Sequence, residues 1–127
     1  MYLKKIHHVA IIASNYCKSK EFYTKILNLE IIRETYRKER DSYKLDLKIG
    51  DSEIELFSFN NSPPRASYPE ARGLRHLAFE VENIEKMVVY LKSKNVICEP
   101  IRIDELTGRK FTFFKDPDEL PLEIYEG

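Results

Sequence analysis

His7-His8-Val9-Ala10-Ile11-Ile12 and Arg75-His76-Leu77-Ala78-Phe79-Glu80 can be laid one over the other, and that superposition decides the fold. The offset is 68 residues (8 to 76), and it recurs along the chain. Asn15 meets Asn83, Lys18 meets Lys86 and Phe22 meets Tyr90. Much later, Ile54-Glu55-Leu56-Phe57 lands on Leu122-Glu123-Ile124-Tyr125 at the same offset. His8 and Glu55 are therefore 47 residues apart, and so are His76 and Glu123. A fixed period organises every other pattern in a chain. The identities are sparse, as in an ancient duplication, but the equal spacing of two His–Glu pairs is hard to attribute to chance.

Working outward, each half reads the same way. Ile6–Ala13 alternates as a strand, and Asn15 (or Ser14) is a helix cap before Tyr16, Tyr23, Ile26 and Leu27, which share one helical face ending near Asn28. Strands follow at about 29–37, 43–50 and 53–59, with Gly50-Asp51 as a turn. In the second half Leu74–Val81 is the strand, Asn83 the cap, and Ile84, Met87, Val88 and Leu91 the apolar stripe. Strands near 96–103, 109–115 and 120–126 complete it, with Asp116-Pro117-Asp118 turning the last hairpin. The proline-rich run from Asn60 to Pro69 suits neither helix nor sheet. The expected fold class is α+β, two βαβββ modules (1–59 and 74–127) joined by a linker at 60–73.

Alternation assigns the faces. Val9 and Ile11 oppose His8, Ala10 and Ile12; Leu77, Phe79 and Val81 oppose His76, Ala78 and Glu80. The odd-numbered residues suit packing under the helices, so each histidine faces the other way, two residues before a small alanine. Glu55 lies between Ile54 and Leu56, and Glu123 between Leu122 and Ile124, which turns both carboxylates toward the histidine side. A glutamate amid apolar strand residues is disfavoured unless it is paired or bound to metal. Two imidazoles and two carboxylates suit Ni²⁺, Co²⁺, Fe²⁺ or Zn²⁺, with water completing an octahedral shell. Taken singly, a strand histidine is usually a satisfied core or surface residue and a strand glutamate a solvated one. The common spacing of the two pairs reverses that judgement for His8, Glu55, His76 and Glu123. His7 points the other way and is read as non-ligating, and Glu53 as a solvated or supporting group.

Composition narrows the function classes. A chain of 127 residues suits one compact domain or two half-size modules sharing a core. Lysine plus arginine and aspartate plus glutamate both total 21, so the net charge is zero, and no basic block marks a nucleic-acid or membrane partner. Cys17 and Cys98 fit neither a disulfide framework nor a metal spacing and are read as small packed side chains. The chain opens on a strand-like run rather than a signal peptide, and no apolar stretch reaches the ~20 residues that span a bilayer. A cytoplasmic protein is the expectation.

These residues resemble the vicinal-oxygen-chelate (glyoxalase/bleomycin resistance/dioxygenase) superfamily. The resemblance covers nearly the whole chain. It rests on His-Val-Ala-Ile at 8–11, Lys20-Glu21-Phe22-Tyr23 with Ile26-Leu27-Asn28-Leu29, Ile-Glu-Leu-Phe at 54–57, Arg-His-Leu-Ala-Phe at 75–79, and Asp116-Pro117-Asp118 followed by Leu-Glu-Ile-Tyr. It implies paired βαβββ modules in a cupped, mostly antiparallel sheet around one divalent metal. Extradiol dioxygenases and fosfomycin-inactivating thiol transferases use two histidines and one glutamate, and methylmalonyl-CoA epimerases usually carry glutamine where Glu55 stands. The full His, Glu, His, Glu set is similar to bacterial glyoxalase I, the lactoylglutathione lyase that prefers nickel or cobalt, with zinc, iron or manganese as alternatives. The match is closest to a short glyoxalase-like subgroup, with Lys110-Phe111-Thr112-Phe113-Phe114 in the place of its Arg-Phe-Thr-Phe-Phe strand.

The resemblance implies isomerisation of a hemithioacetal of methylglyoxal to a 2-hydroxyacyl thioester through an enediolate. Glu123 would be the principal base, with Glu55 as ligand and second proton carrier. The substrate would be a small thiol adduct and the assembly a homodimer, its site within one chain or shared across two. The chain departs from glutathione-using members at two places. Ile12 stands where an arginine usually grips the γ-glutamyl end, and Phe59 where an asparagine is common. Arg72 matches an arginine found in some glyoxalases, and Arg37, Arg40, Arg109 and Lys110 are further anion contacts to weigh against plain solvated charges. Two other classes stay open: a different proton- or thiol-transfer enzyme on this scaffold, such as an acyl-CoA epimerase, and a non-catalytic module that sequesters an antibiotic.

Overall fold

A computed structural model describes residues 2–127. They fall into two compact units, one up to Pro63 and one from Pro64 to Gly127. No helix among them is long and apolar enough to cross a membrane.

The first unit runs β1 (His8–Ala13), α1 (Tyr16–Glu21), a π-helical turn (Phe22–Ile26), β2 (Glu30–Arg37), a 3₁₀ turn (Lys38–Arg40), β3 (Ser42–Ile49) and β4 (Ser52–Ser58). The second runs β5 (Leu77–Val81), α2 (Ile84–Ser93), β6 (Arg102–Ile103), β7 (Lys110–Lys115) and β8 (Pro121–Glu126). Each unit holds one four-stranded sheet, in the orders β1-β4-β3-β2 and β5-β8-β7-β6. The outer β1–β4 and β5–β8 pairs are parallel and the remaining pairs antiparallel. The expected α+β fold class, mixed sheets with few helices, is what forms.

The asparagine caps behave as their spacing requires. Asn15 Oδ1 accepts from Lys18 N at 3.1 Å, and Asn83 Oδ1 from Lys86 N at 3.0 Å. Each satisfies an amide that the first helical turn would otherwise leave unpaired. The first helix widens into the π turn, closed by Leu27 N donating to Phe22 O at 2.9 Å. Asn28 then takes the left-handed conformation (φ 59°) and ends it where expected.

The core of each unit lies between its helix and one face of its sheet. Ile11, Ala13, Leu45, Leu47, Ile54 and Leu56 are buried in the first unit with Phe22 and Tyr23. Leu122, Ile124, Phe114 and Leu120 are buried in the second with Ile84 and Leu91. Full burial of each such aliphatic side chain contributes roughly 1.5–3 kcal/mol. The alternation in β4 and β8 is strict: Ile54, Leu56, Leu122 and Ile124 are buried, while Glu55 and Glu123 between them are not fully buried and turn to the other face.

Three strands are shorter than their sequence suggests: β1 begins at His8 rather than Ile6, and two strands of the second unit also fall short. β5 begins at Leu77 rather than Leu74. One step beyond the Leu77–Leu122 rung lies Pro121, which has no N–H to extend the ladder. At the matching place in the first unit, Glu53 N donates to His7 O at 2.9 Å, and β1 starts a residue earlier in the repeat. Of the strand expected at 96–103, only Arg102–Ile103 forms. Pro100 interrupts the run, and Glu99 is tied to β7 by single bonds: its N–H to Phe113 O at 2.9 Å, and its carbonyl to Thr112 Oγ1 at 2.7 Å.

Candidate metal centre

In the first unit the parallel register places Glu55 opposite Ala10, and Glu53 opposite His8. The alanine leaves room beside Glu55, and the His8 imidazole reaches along the sheet to fill it: His8 Nε2 stands 3.5 Å from Glu55 Oε2. The second unit repeats the arrangement. Glu123 is opposite Ala78, and His76 Nε2 stands 3.1 Å from Glu123 Oε1. Both glutamate side chains are 13% exposed, so each carboxylate is largely withdrawn from water yet reachable.

These donor atoms suit a metal. Two ligands bound at ~2.1 Å in neighbouring positions of an octahedron stand ~3 Å apart. The nitrogen–oxygen separation in each pair is close to that, and an imidazole–carboxylate donor set suits a borderline divalent ion. Each pair lies within its own unit, His8 with Glu55 and His76 with Glu123.

Each of the two histidines has a contact at its Nδ1, on the side of the ring away from the glutamate. His7 Nδ1 and His8 Nδ1 are 3.0 Å apart, so one of the two nitrogens must donate to the other. With the proton on His8 Nδ1, its Nε2 is left as a free donor atom toward Glu55. His7, read from the sequence as non-ligating, is the group that contacts the other ring nitrogen of His8. His76 Nδ1 accepts from Arg75 Nη1 at 3.1 Å, which puts the proton of a neutral ring on Nε2, toward Glu123, and the ring meets Phe113 edge to face with centroids 5.0 Å apart. Glu53 is part of a carboxylate group with Asp46 and Glu55, whose oxygens lie within 4.8 Å of one another.

Of the expected anion contacts, Arg37 is the most engaged. Its guanidinium lies 4.8 Å from the Phe57 centroid and 5.5 Å from that of Phe59, and donates to Ser42 Oγ at 2.9 Å. Phe59 therefore forms an aromatic shelf with Phe57, the two rings stacked at 5.7 Å. Arg72 is exposed in the connector, and Ile12 is 51% exposed on β1. Arg109 is exposed in the loop between β6 and β7. That loop is clasped to β8 by the Tyr125 hydroxyl, which donates to Asp104 Oδ2 at 2.9 Å and also meets Thr107. The backbone N–H of Leu106, followed by the Tyr125 hydroxyl, holds the Asp104 carboxyl below its usual range.

Three side chains of these surfaces escaped the sequence reading. Asp46 lies directly across from Glu55 in the β3–β4 ladder and is fully buried. Lys44 reaches both Asp46 Oδ1, at 3.3 Å, and Glu55 Oε2, at 3.6 Å. A signal existed, since Leu45-Asp46-Leu47 is the same apolar–acid–apolar triplet as Ile54-Glu55-Leu56. Arg102 lies over Phe111 (5.0 Å) and Phe113 (5.7 Å), and no sequence spacing marks it.

The Glyoxalase/Bleomycin resistance protein/Dioxygenase superfamily model matches residues 5–124. YwkD of Bacillus subtilis (strain 168), whose role is uncharacterized, is 59% identical over 127 residues, 99% of each chain. A crystal structure of a glyoxalase family protein from Enterococcus faecalis superposes with a TM-score of 0.93 at 53% identity, covering 99% of this chain and 100% of that one. Human mitochondrial methylmalonyl-CoA epimerase is 27% identical over 107 residues, 80% of this chain and 61% of its own. The lactoylglutathione lyase of Agrobacterium tumefaciens shares the fold, with a TM-score of 0.75 at 19% identity over 100% of this chain and 96% of that one. From the two repeated His–Glu sheets and this match along almost its whole length, the chain belongs to the Glyoxalase/Bleomycin resistance protein/Dioxygenase superfamily.

Proposed function

We propose that the chain is a glyoxalase I-like, metal-dependent isomerase that converts the hemithioacetal of methylglyoxal and a thiol into a 2-hydroxyacyl thioester. The observation that carries this reading is the duplicated His–Glu pair, one on each sheet, on the face turned away from the helix. In this reading residues 1–127 form a single functional domain. His8, Glu55, His76 and Glu123 together hold one divalent ion, nickel or cobalt by preference, within one chain or across a homodimer. The superfamily generally binds a divalent metal, and its members are commonly dimers acting on small molecules.

When bound, the ion supplies electrostatic stabilisation of the negative charge that develops on the substrate oxygens. The protein's own groups move the proton. Glu123 takes the proton from C1 of the hemithioacetal, the electron pair forms the C1–C2 double bond and moves the C2 carbonyl pair onto its oxygen, a proton returns to C2, and the C1 hydroxyl proton passes to the C2 oxygen, leaving the thioester carbonyl at C1. The product is an isomer of the substrate, so no oxidant or reductant is needed. Glu123 suits the base role because it faces the Phe113 ring across the ladder, whereas Glu55 is held beside the Lys44 ammonium. Arg37, Arg72 and Arg109 are the candidate contacts for the anionic part of the thiol.

The test uses metal-stripped protein restored separately with Ni²⁺, Co²⁺ or Zn²⁺ and assayed for loss of the methylglyoxal–glutathione hemithioacetal. Turnover that requires metal and falls roughly 10²–10⁴-fold in Glu123→Gln supports the reading. Metal binding without turnover on any thiol adduct overturns it. A second reading, epimerisation of an acyl-CoA thioester at its α-carbon, draws on the likeness to methylmalonyl-CoA epimerase and on Ile12 and Phe59, which offer glutathione neither of its usual contacts. Proton exchange at the α-carbon of a CoA thioester, retained in Glu55→Gln, would favour it.

A further inference from the structure

The two sheets differ in what surrounds their glutamates. Across the ladder from Glu55 stands Asp46, and two residues before it Lys44; across from Glu123 stands Phe113, and two residues before it Phe111. One carboxylate therefore sits among fixed charges and the other among aromatic rings.

Burying Asp46 completely requires a cation beside it, because an unpaired carboxylate out of water is strongly disfavoured. Two cations answer. Arg33 Nε approaches Oδ2 at 2.8 Å, and Lys44 Nζ approaches Oδ1 at 3.3 Å. The contact to Asp46 anchors an otherwise flexible ammonium, and the anchored ammonium lies 3.6 Å from Glu55 Oε2. That is the same oxygen that His8 Nε2 faces at 3.5 Å. A divalent ion held by His8 through that oxygen therefore sits beside the Lys44 ammonium.

We propose that Lys44, anchored by Asp46, is a built-in electrostatic brake on the metal centre: a positioning residue whose charge sets how tightly the ion is held. At the dielectric of water a unit positive charge ~6 Å from a divalent ion weakens its binding about tenfold, and a closer one weakens it more. Lys44 touches the glutamate of the first half directly, whereas on the second half Arg102 lies over the Phe111 and Phe113 rings that hold the corresponding places beside Glu123. The consequence is an ion that exchanges readily rather than one locked in place. The proposal rests on the reading of Glu55 as a metal ligand.

The experiment is calorimetric titration of metal-stripped, full-length protein with Ni²⁺ alone. Wild type, Lys44→Met, Lys44→Gln, Lys44→Arg and Glu55→Gln are compared at one pH and one salt concentration. Lys44→Met is expected to bind about tenfold more tightly and Lys44→Arg close to wild type. Lys44→Gln keeps a polar side chain but not the charge, and gives the same tightening if the methionine variant folds poorly. Unchanged or weaker binding in both neutral variants, with Glu55→Gln weakened, overturns the brake and leaves the ligand assignment standing. Undiminished binding in Glu55→Gln overturns both.

Discussion

Asp46 stands directly across the β3–β4 ladder from Glu55, its carboxylate shielded from solvent while Glu55 keeps a path to it. One acid is thus structural and the other available for chemistry, although both occupy the same kind of apolar–acid–apolar triplet. Asp46→Asn should destabilise the protein by ~1–3 kcal/mol, less than a fully buried pair would lose, because the Arg33 side chain is 59% exposed and can return to water. The urea midpoint is the measurement, and a midpoint equal to wild type would remove Asp46 from the list of stabilising groups.

The two caps offer a matched pair. Asn15→Ala and Asn83→Ala should each cost ~1 kcal/mol, since each leaves one helix N–H without its side-chain acceptor. Glycine at either position should cost only a few tenths of a kcal/mol. Thermal unfolding of the four variants checks this, and alanine and glycine variants of equal stability would show that the side-chain bond contributes nothing.

Tyr16 and Glu34 should impose opposite limbs on the pH dependence of stability. Lys20 at 2.8 Å, then the Tyr16 hydroxyl, hold the Glu34 carboxyl below its usual range. Its contribution is full above the unfolded value near 4.5 and is lost as pH falls through the lower folded one. Burial first, and then the bond to Glu34, push the Tyr16 hydroxyl above its ordinary value of 10.0, so its contribution is full below that value and fades as pH rises past it. Tyr16→Phe should therefore flatten the alkaline limb, and Glu34→Gln the acid limb, of denaturation midpoints recorded across pH. Curves parallel to wild type would contradict the assignment.

His7 is the residue to change in order to test orientation of a ligand from behind. His7→Phe removes the nitrogen that His8 Nδ1 contacts at 3.0 Å while keeping an aromatic ring in place. Metal affinity should fall by about tenfold or more, the usual cost of losing an outer partner of a ligating imidazole. His7→Gln, which can still accept a hydrogen bond, should recover part of it. Titration with Ni²⁺ reads both, and an unchanged affinity in His7→Phe would show that His8 needs no such support.

Much of the fold was legible in local pattern. Alternation around Ile54-Glu55-Leu56 and Leu122-Glu123-Ile124 assigned the faces correctly, because a strand with one buried face must repeat every two residues. Asn15 and Asn83 marked helix starts through their side-chain chemistry. The short β6 and the late start of β5 were less legible: Pro100 and Pro121 act through hydrogen bonds that a neighbouring strand needs, and that neighbour lies elsewhere in the sequence.

The amino-acid sequence by itself determined the repeat, the βαβββ order of each half and the residue types of the two His–Glu pairs, all properties of local periodicity and of spacing along the chain. Tertiary structure alone decided ladder register and what each glutamate meets within it: Ala10 and Asp46 on either side of Glu55, Ala78 and Phe113 on either side of Glu123. Register is a long-range choice, made when strands tens of residues apart bury one common apolar face, and a slip of one residue would reverse every side chain. For that reason the Lys44–Asp46–Glu55 contact could be seen only once the strands had paired.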